Sequence, residues 1–259
     1  MAVWIFLRGL NREASHWGNF PAAFERAIVG AKVIALDLPG NGALRHVPSP
    51  LSISQMVTHC RSELVRLGTK PPYHVLAISM GAMVASQWAT EAPSEVAAAV
   101  LINTSFRPFS PFYARLRPET YGHLLGMALP GVSPQSVERS VLQLTSNHPE
   151  RHEAAVAEWL SIREQRPVSK SNVLRQLFAA ACFKASGERP AAPVLLLGSC
   201  QDRLVNIECT LAIARHWNCP VALHPDSGHD LPLDDTTWVV QQVQNWLDEG
   251  PVFSPAISA

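Results

Sequence analysis

The chain has 259 residues, 47% of them apolar, with 21 basic residues against 21 acidic ones. That length fits one large domain, or one domain carrying an insertion, with enough apolar residues for a sizeable core. The balanced charge gives no sign of nucleic-acid binding or an anionic membrane partner. The first apolar run, Val3 to Leu7, stops at Arg8 and has no basic region ahead of it. It is too short for a signal peptide or a membrane span. Cys60, Cys182, Cys200, Cys209 and Cys219 are widely spaced and contain no C-x-x-C. Their odd number and spacing read as reduced thiols of a cytoplasmic protein, not a disulfide framework or a zinc site. Neither G-x-G-x-x-G nor H-E-x-x-H occurs, so no cofactor and no metal are expected.

In chain order, Val3 to Leu7 reads as a strand buried on both faces, and Arg8-Gly9-Leu10-Asn11 as the turn after it. A helix is expected from Phe20 to Ile28, with Pro21 early. A second strand covers Lys32 to Leu36 and ends in the turn cluster Asp37-Leu38-Pro39-Gly40-Asn41-Gly42. An amphipathic helix runs from Ser54 to Leu67, a strand from Tyr73 to Ile78, a helix from Met80 to Thr90 and a strand from Val96 to Ile102. Strands alternating with helices predict a parallel sheet covered on both faces. The alternation then stops. From 106 to 190 the pattern predicts helices near 118–129, 133–146, 150–165 and 170–185 and no convincing strand. Strands resume at Pro193 to Leu197 and Pro220 to Leu223, with helices at Asn206 to Trp217 and Asp234 to Asp248. The expected organisation is a core of 1–105 and 191–259 with a helical insertion at 106–190, on a mostly parallel sheet of about six strands.

The informative stretch is Ala77-Ile78-Ser79-Met80-Gly81, where a buried strand meets a helix at one serine flanked by small residues. Such a turn brings strand and helix backbones close, so both flanking positions must lack bulk. It also exposes a hydroxyl at the amino end of a helix, where negative charge is favoured. On this stretch alone, a serine that merely caps the helix fits as well. The rest of the chain decides. Ligands of open parallel sheets bind at the carboxyl ends of strands, so partners of Ser79 must follow strands. Asp202 follows one in Gly198-Ser199-Cys200-Gln201-Asp202, and His229 follows another in Pro225-Asp226-Ser227-Gly228-His229-Asp230. A serine hydroxyl becomes a useful nucleophile when an imidazole takes its proton and a carboxylate orients that imidazole. Asp226 and Asp230 are rival acids, each very near His229 in sequence.

With these motifs together, the chain resembles the α/β-hydrolases over nearly its whole length. Ala77 to Gly81 resembles the nucleophile elbow of that family. Asp37 to Gly42 is similar to its D-x-P-G-x-G turn, and the segments at Asp202 and His229 resemble its acid and histidine loops. The resemblance implies that the backbone N–H groups of Leu10 and Met80 form an oxyanion hole. It also implies that the helical insertion is a cap shaping the substrate pocket. Phe106, Phe109, Phe112 and Tyr113, just after the fourth strand, are then expected to line an apolar pocket near Ser79. The chain departs from the family in three places. Ala77 stands for the first glycine of the elbow, Arg8-Gly9 stands for the usual His-Gly, and the family's first two strands have no counterpart. Arg8 fits either a structural replacement or a contact to an anionic substrate group.

Serine at the elbow implies an acyl-enzyme and carboxylic ester hydrolysis. The Ser-Met-Gly context looks closest to small soluble carboxylesterases, among them the pimeloyl-acyl-carrier-protein methyl ester esterases of biotin synthesis. The same triad also serves thioester or carbon–carbon hydrolysis, or a lyase or synthase reaction. A non-catalytic ligand-binding protein on this fold is the third possibility. The expected substrate is a small-molecule ester. Residues 106–190 carry eleven basic and seven acidic side chains, an excess that fits steering of an acidic acyl carrier protein as well as solvated helix faces.

Overall fold

The computed structural model describes residues 1–148 and 152–250. Six strands form one sheet: β1 (Ala2–Leu7), β2 (Ala31–Leu36), β3 (Tyr73–Ile78), β4 (Val96–Ile102), β5 (Val194–Ser199) and β6 (Val221–His224). Their order is β2-β1-β3-β4-β5-β6, and every neighbouring pair is parallel. Side chains on a strand alternate between faces, and here each alternate set enters a different core. Ile5, Leu7, Val75, Ala77, Leu101 and Leu196 join one cluster with Met56, Val57, Trp88, Ile213 and Trp217. Trp4, Phe6, Leu76, Ile78, Ile102 and Leu197 join the other with Phe20, Phe24, Val239, Val243 and Trp246. The continuous apolar runs in the sequence thus follow from burial on both faces.

The second cluster is closed by α1 (Phe20–Ala27) and α11 (Thr236–Asp248), and the first by α2 (Ile53–Arg66), α3 (Met80–Glu91) and α9 (Glu208–Trp217). Ser52 caps α2 and Asp235 caps α11 by accepting backbone N–H bonds from Gln55 and Trp238. The β3 and β4 limits match those expected from sequence, and the other predicted elements shift by one to three residues.

Register aligns the carboxyl ends of the central strands. Leu7 pairs with Ala77, Ala77 with Leu101 and Leu101 with Leu196. The residues that follow β1, β3, β4 and β5 therefore emerge on one rim.

Between β4 and β5 come α4 (Phe112–Arg115), α5 (Tyr121–Ala128), α6 (Pro134–Thr145), α7 (His152–Gln165) and α8 (Lys170–Cys182). These answer to the four expected helices plus the unforeseen α4. A further short helix, α10 (Leu231–Asp234), precedes α11. Residues 150 and 151 of the expected 150–165 helix, with Arg151 of the insertion's charge excess, lie outside the described residues. Leu142, Val156, Trp159 and Ile162 give α6 and α7 a small core of their own. Buried polar bonds then tie the insertion to the loop after β1. Glu138 of α6 accepts from Arg12 and from Arg163, each at 2.8 Å. Arg166 binds the Glu13 carboxylate, and the Asn11 N–H donates to Gln176 of α8 at 2.9 Å. Among the described residues no helix is long and apolar enough to cross a membrane.

Two glycines test the packing. A Cβ on Gly81 would sit 2.5 Å from the Leu7 carbonyl oxygen, whereas one on Gly122 of α5 would meet nothing within 4 Å. Gly81→Ala is expected to destabilise the protein by about 1–3 kcal/mol in urea unfolding. Gly122→Ala should be neutral or stabilise by up to about 1 kcal/mol.

Candidate active site

Ser79 stands between β3 and α3 with φ 56° and ψ −120°. A non-glycine residue in that region stores on the order of 1–3 kcal/mol of strain, so its surroundings must hold it there. They do so through both backbone groups. The Ser79 N–H donates to the Ile102 carbonyl at 3.0 Å, and the Ser79 carbonyl accepts from Thr104 Oγ1 at 3.0 Å. Ala77 is fully buried against the core, and Gly81 lets the start of α3 pass the end of β1.

His229 and Asp202 meet on the same rim. His229 Nδ1 lies 2.7 Å from Asp202 Oδ2, and both side chains are buried. The other oxygen, Asp202 Oδ1, accepts the N–H groups of Leu204 at 2.7 Å and Val205 at 3.0 Å. The carboxylate is thus fixed at both ends and has one direction in which to hold the imidazole. With Nδ1 engaged, Nε2 is the nitrogen left for proton exchange. Burial alone would push the His229 imidazole down. The Asp202 charge and hydrogen bond oppose it, with a smaller push from Asp230, and the imidazole is held above its ordinary value despite the Arg8 cation.

Asn103, the residue after β4, joins the pieces. Its side chain accepts from the Ser199 N–H at 2.8 Å and donates to the His229 carbonyl at 2.8 Å. The preceding residue, Ile102, receives the Ser79 N–H. One strand end therefore spaces the serine from the histidine loop. That loop is also pinned by α10 and packed closely against the insertion. The Gly228 N–H donates to Asp234 Oδ2 at 2.7 Å, and a Cβ on Gly228 would meet the Thr145 carbonyl at 2.7 Å.

Leu10 and Met80 flank the serine from two directions. A Cβ on Gly9 would sit 3.1 Å from Ser79 Cβ and 3.6 Å from Ser79 Oγ, so the loop after β1 passes directly over the hydroxyl. Met80 opens α3, where N–H groups have no partner within the helix. Among the described residues, the Leu10 and Met80 N–H groups donate to no carbonyl or side chain. Two donors free beside a serine hydroxyl are an arrangement that can stabilise an oxyanion.

The sequence profile described as the alpha/beta hydrolase family matches residues 4–242. The chain belongs to this family. Several solved α/β-fold structures superpose on it. The enol-lactonase from Burkholderia xenovorans LB400 has a TM-score of 0.76 at 16% identity, covering 96% of this chain and 92% of that one. An esterase from Thermogutta terrifontis has a TM-score of 0.74 at 20% identity, covering 96% and 90%. A hydrolase from Pseudomonas aeruginosa PA01 has a TM-score of 0.76 at 18% identity, covering 95% and 89%. At these identities the likeness is one of fold. No curated protein matches by sequence.

This α/β-hydrolase departs from one reading of its sequence and decides between two others. The aromatic wall expected of Phe106, Phe109, Phe112 and Tyr113 does not form. Phe106 is fully buried against Phe183 and Trp217, and Phe109 stacks on His216 at 4.5 Å. Phe112 and Tyr113 pair on the surface, 75% and 55% exposed. Trp217 of α9 draws the first two rings into the core, and the short α4 turns the next two outward. Of the two readings of Arg8, the geometry matches the structural replacement. Arg8 forms a two-pronged bond to Asp230, which takes that residue out of competition as the acid, and Asp226 is exposed. The parts that sequence reasoning missed are Asn103, Asp234, Thr104 and the Arg8–Asp230 pair. Asn103, with φ 44°, carried one usable signal, an asparagine that tolerates positive φ at a strand end.

NMR titration of the His229 imidazole should give a pKa above about 6.5. In Asp202→Asn it should fall, because burial then acts with its main opponent removed. An unchanged value would contradict the assignment of Asp202 as the partner.

Proposed function

We propose that this protein is a serine hydrolase that cleaves carboxylic esters through an acyl-enzyme. The observation that carries the reading is the buried 2.7 Å His229–Asp202 pair on the rim that also bears the strained Ser79. Ser79 Oγ attacks the acyl carbon while His229 Nε2 takes its proton. The carbonyl oxygen becomes an anion facing the N–H groups of Leu10 and Met80. The intermediate collapses, the alkoxide leaves with the proton from Nε2, and the acyl group stays on Ser79. Water then attacks, gives its proton to Nε2, and releases the acid and the free serine. The Asp202 carboxylate holds the imidazole tautomer and stabilises the imidazolium.

The insertion is read as a cap, since α6, α8 and Arg166, just after α7, are bonded to the loop that carries Leu10. Support for an acyl-carrier docking face, as in the methyl esterases of biotin synthesis, is weaker than the charge count implied. Arg115, Arg117, Arg163, Arg166, Arg175 and Arg189 are bonded to carbonyls or carboxylates of the chain itself. The reading therefore commits to small free esters. The five cysteines are unbridged, which supports a reducing compartment such as the cytoplasm.

A fluorophosphonate probe should label Ser79, and Ser79→Ala should lower kcat on p-nitrophenyl esters by about 10⁶-fold. Asp202→Asn should cost about 10⁴-fold through the wrong imidazole tautomer. Undiminished hydrolysis by Ser79→Ala would refute the proposal. Product analysis on thioester and carbon–carbon substrates separates the other reactions of this triad. A large preference for a carrier-linked ester, lost with added salt, would restore the carrier reading.

A further inference from the structure

Arg8 immediately precedes Gly9 and Leu10, and Asp230 immediately follows His229. The two are 222 residues apart in the chain. Nη1 and Nη2 of Arg8 meet Oδ1 and Oδ2 of Asp230 at 2.9 and 2.5 Å. The side chains are only 5% and 4% exposed. Trp17 lies under the guanidinium, 4.7 Å from Cζ to the ring centroid. Asp230 is itself fixed, because its N–H donates to the Thr145 carbonyl at 2.7 Å and its carbonyl accepts the Leu233 and Asp234 N–H groups that open α10. The aspartate is thus an anchored post, and the arginine is a rigid fork reaching it from the end of β1.

A planar fork on a carboxylate fixes angle as well as distance. A buried ion pair offers little stability over an apolar pair of the same volume, so fold stability alone does not account for it. Its position does. It spans the rim from the loop that carries one free N–H donor to the loop that carries the imidazole, with Ser79 between them.

We propose that Arg8 and Asp230 are positioning residues that lock the oxyanion loop to the histidine loop, holding Leu10 N–H and His229 in register across Ser79. This rests on the esterase reading of Ser79, His229 and Asp202. The pair also has an electrostatic signature. The charged groups acting on His229 are Asp202 from the acid loop, Asp230 from its own loop and Arg8 from the loop after β1. Asp230 pushes the imidazole up and Arg8 pushes it down. The two act in opposite senses, and both are smaller influences than Asp202. Removing one partner must therefore move the titration in one direction, and removing the other must move it in the opposite direction.

The test is the pH dependence of kcat/KM for p-nitrophenyl acetate in wild type, Arg8→Met, Asp230→Asn, Arg8→Lys and the double variant Arg8→Met/Asp230→Leu. Arg8→Met leaves Asp230 unpaired, so the acid limb should move to higher pH. Asp230→Asn leaves Arg8 unpaired, so the limb should move to lower pH. In both, kcat should fall by up to about 100-fold, as for small misplacement of reacting groups, with KM little changed. Arg8→Lys keeps the charge but loses the fork, so it should lose kcat with the limb near its wild-type position. The double variant buries no unpaired charge and should remain folded even where a single variant does not. Its limb should lie between those of the two single variants, and it should still show the lowered kcat. Full kcat in the folded double variant, or single variants whose limbs do not separate, would overturn the proposal. If wild type neither hydrolyses the ester nor takes the fluorophosphonate at Ser79, the esterase reading fails instead. NMR titration of His229 in the same variants then decides the coupling alone: opposite shifts uphold it and coincident titrations overturn it.

Discussion

Everything at the candidate site depends on keeping Ser79 in a backbone conformation it would not adopt by itself. With φ at 56°, the turn relaxes unless both of its peptide groups are held. The Ile102 carbonyl and the Thr104 hydroxyl hold them, and the absence of a side chain at Gly81 lets α3 start against the Leu7 and Arg8 carbonyls. The strain of one residue is thus offset by the packing of β1, β3 and β4. The sheet register supplies the rest, because strands that end level deliver their following residues to one place.

The loop after β1 shows how the insertion is made part of this arrangement. Arg8 goes to Asp230, Asn11 to Gln176, Arg12 to Glu138, Glu13 to Arg166, and the Ala14 N–H to Asp37. Successive residues are anchored to different elements, so the segment carrying Leu10 has little freedom. Several of these groups are charged and buried. Burial is the main influence lowering the Arg12 guanidinium, and the Glu138 carboxylate opposes it. Removing one member of such a network costs more than the pair itself contributes, since it strands a buried charge.

Much of this was legible in the sequence. Apolar runs such as Tyr73–Ile78 and Val96–Ile102 appear in the structure at the limits read from the pattern, because strands buried on both faces carry an unbroken signal. Ser79, Asp202 and His229 could be picked out because each follows such a run, and the strand ends bring them to one rim. The pairings between distant loops were not legible. Nothing in Arg8 or Asp230 alone marks them as partners, since a charge becomes informative only once burial and direction are known. The aromatics after β4 show the same limit. Four rings within eight residues read as one apolar surface, but Trp217, more than a hundred residues on, decides which of them face inward. The excess of arginine in the insertion is ambiguous in a similar way, because composition does not distinguish a solvated cation from one bonded to a carbonyl.

The central claim is that Ser79 carries the acyl group between the two halves of the reaction. Its most direct measurement is a rapid acid quench of the protein mixed with p-nitrophenyl acetate, followed by peptide mass mapping. The account predicts a burst of p-nitrophenol and one acetyl group on the peptide containing Ser79, with none in Ser79→Ala. Steady hydrolysis with no acylated Ser79, or acetyl found only on another residue, would contradict it.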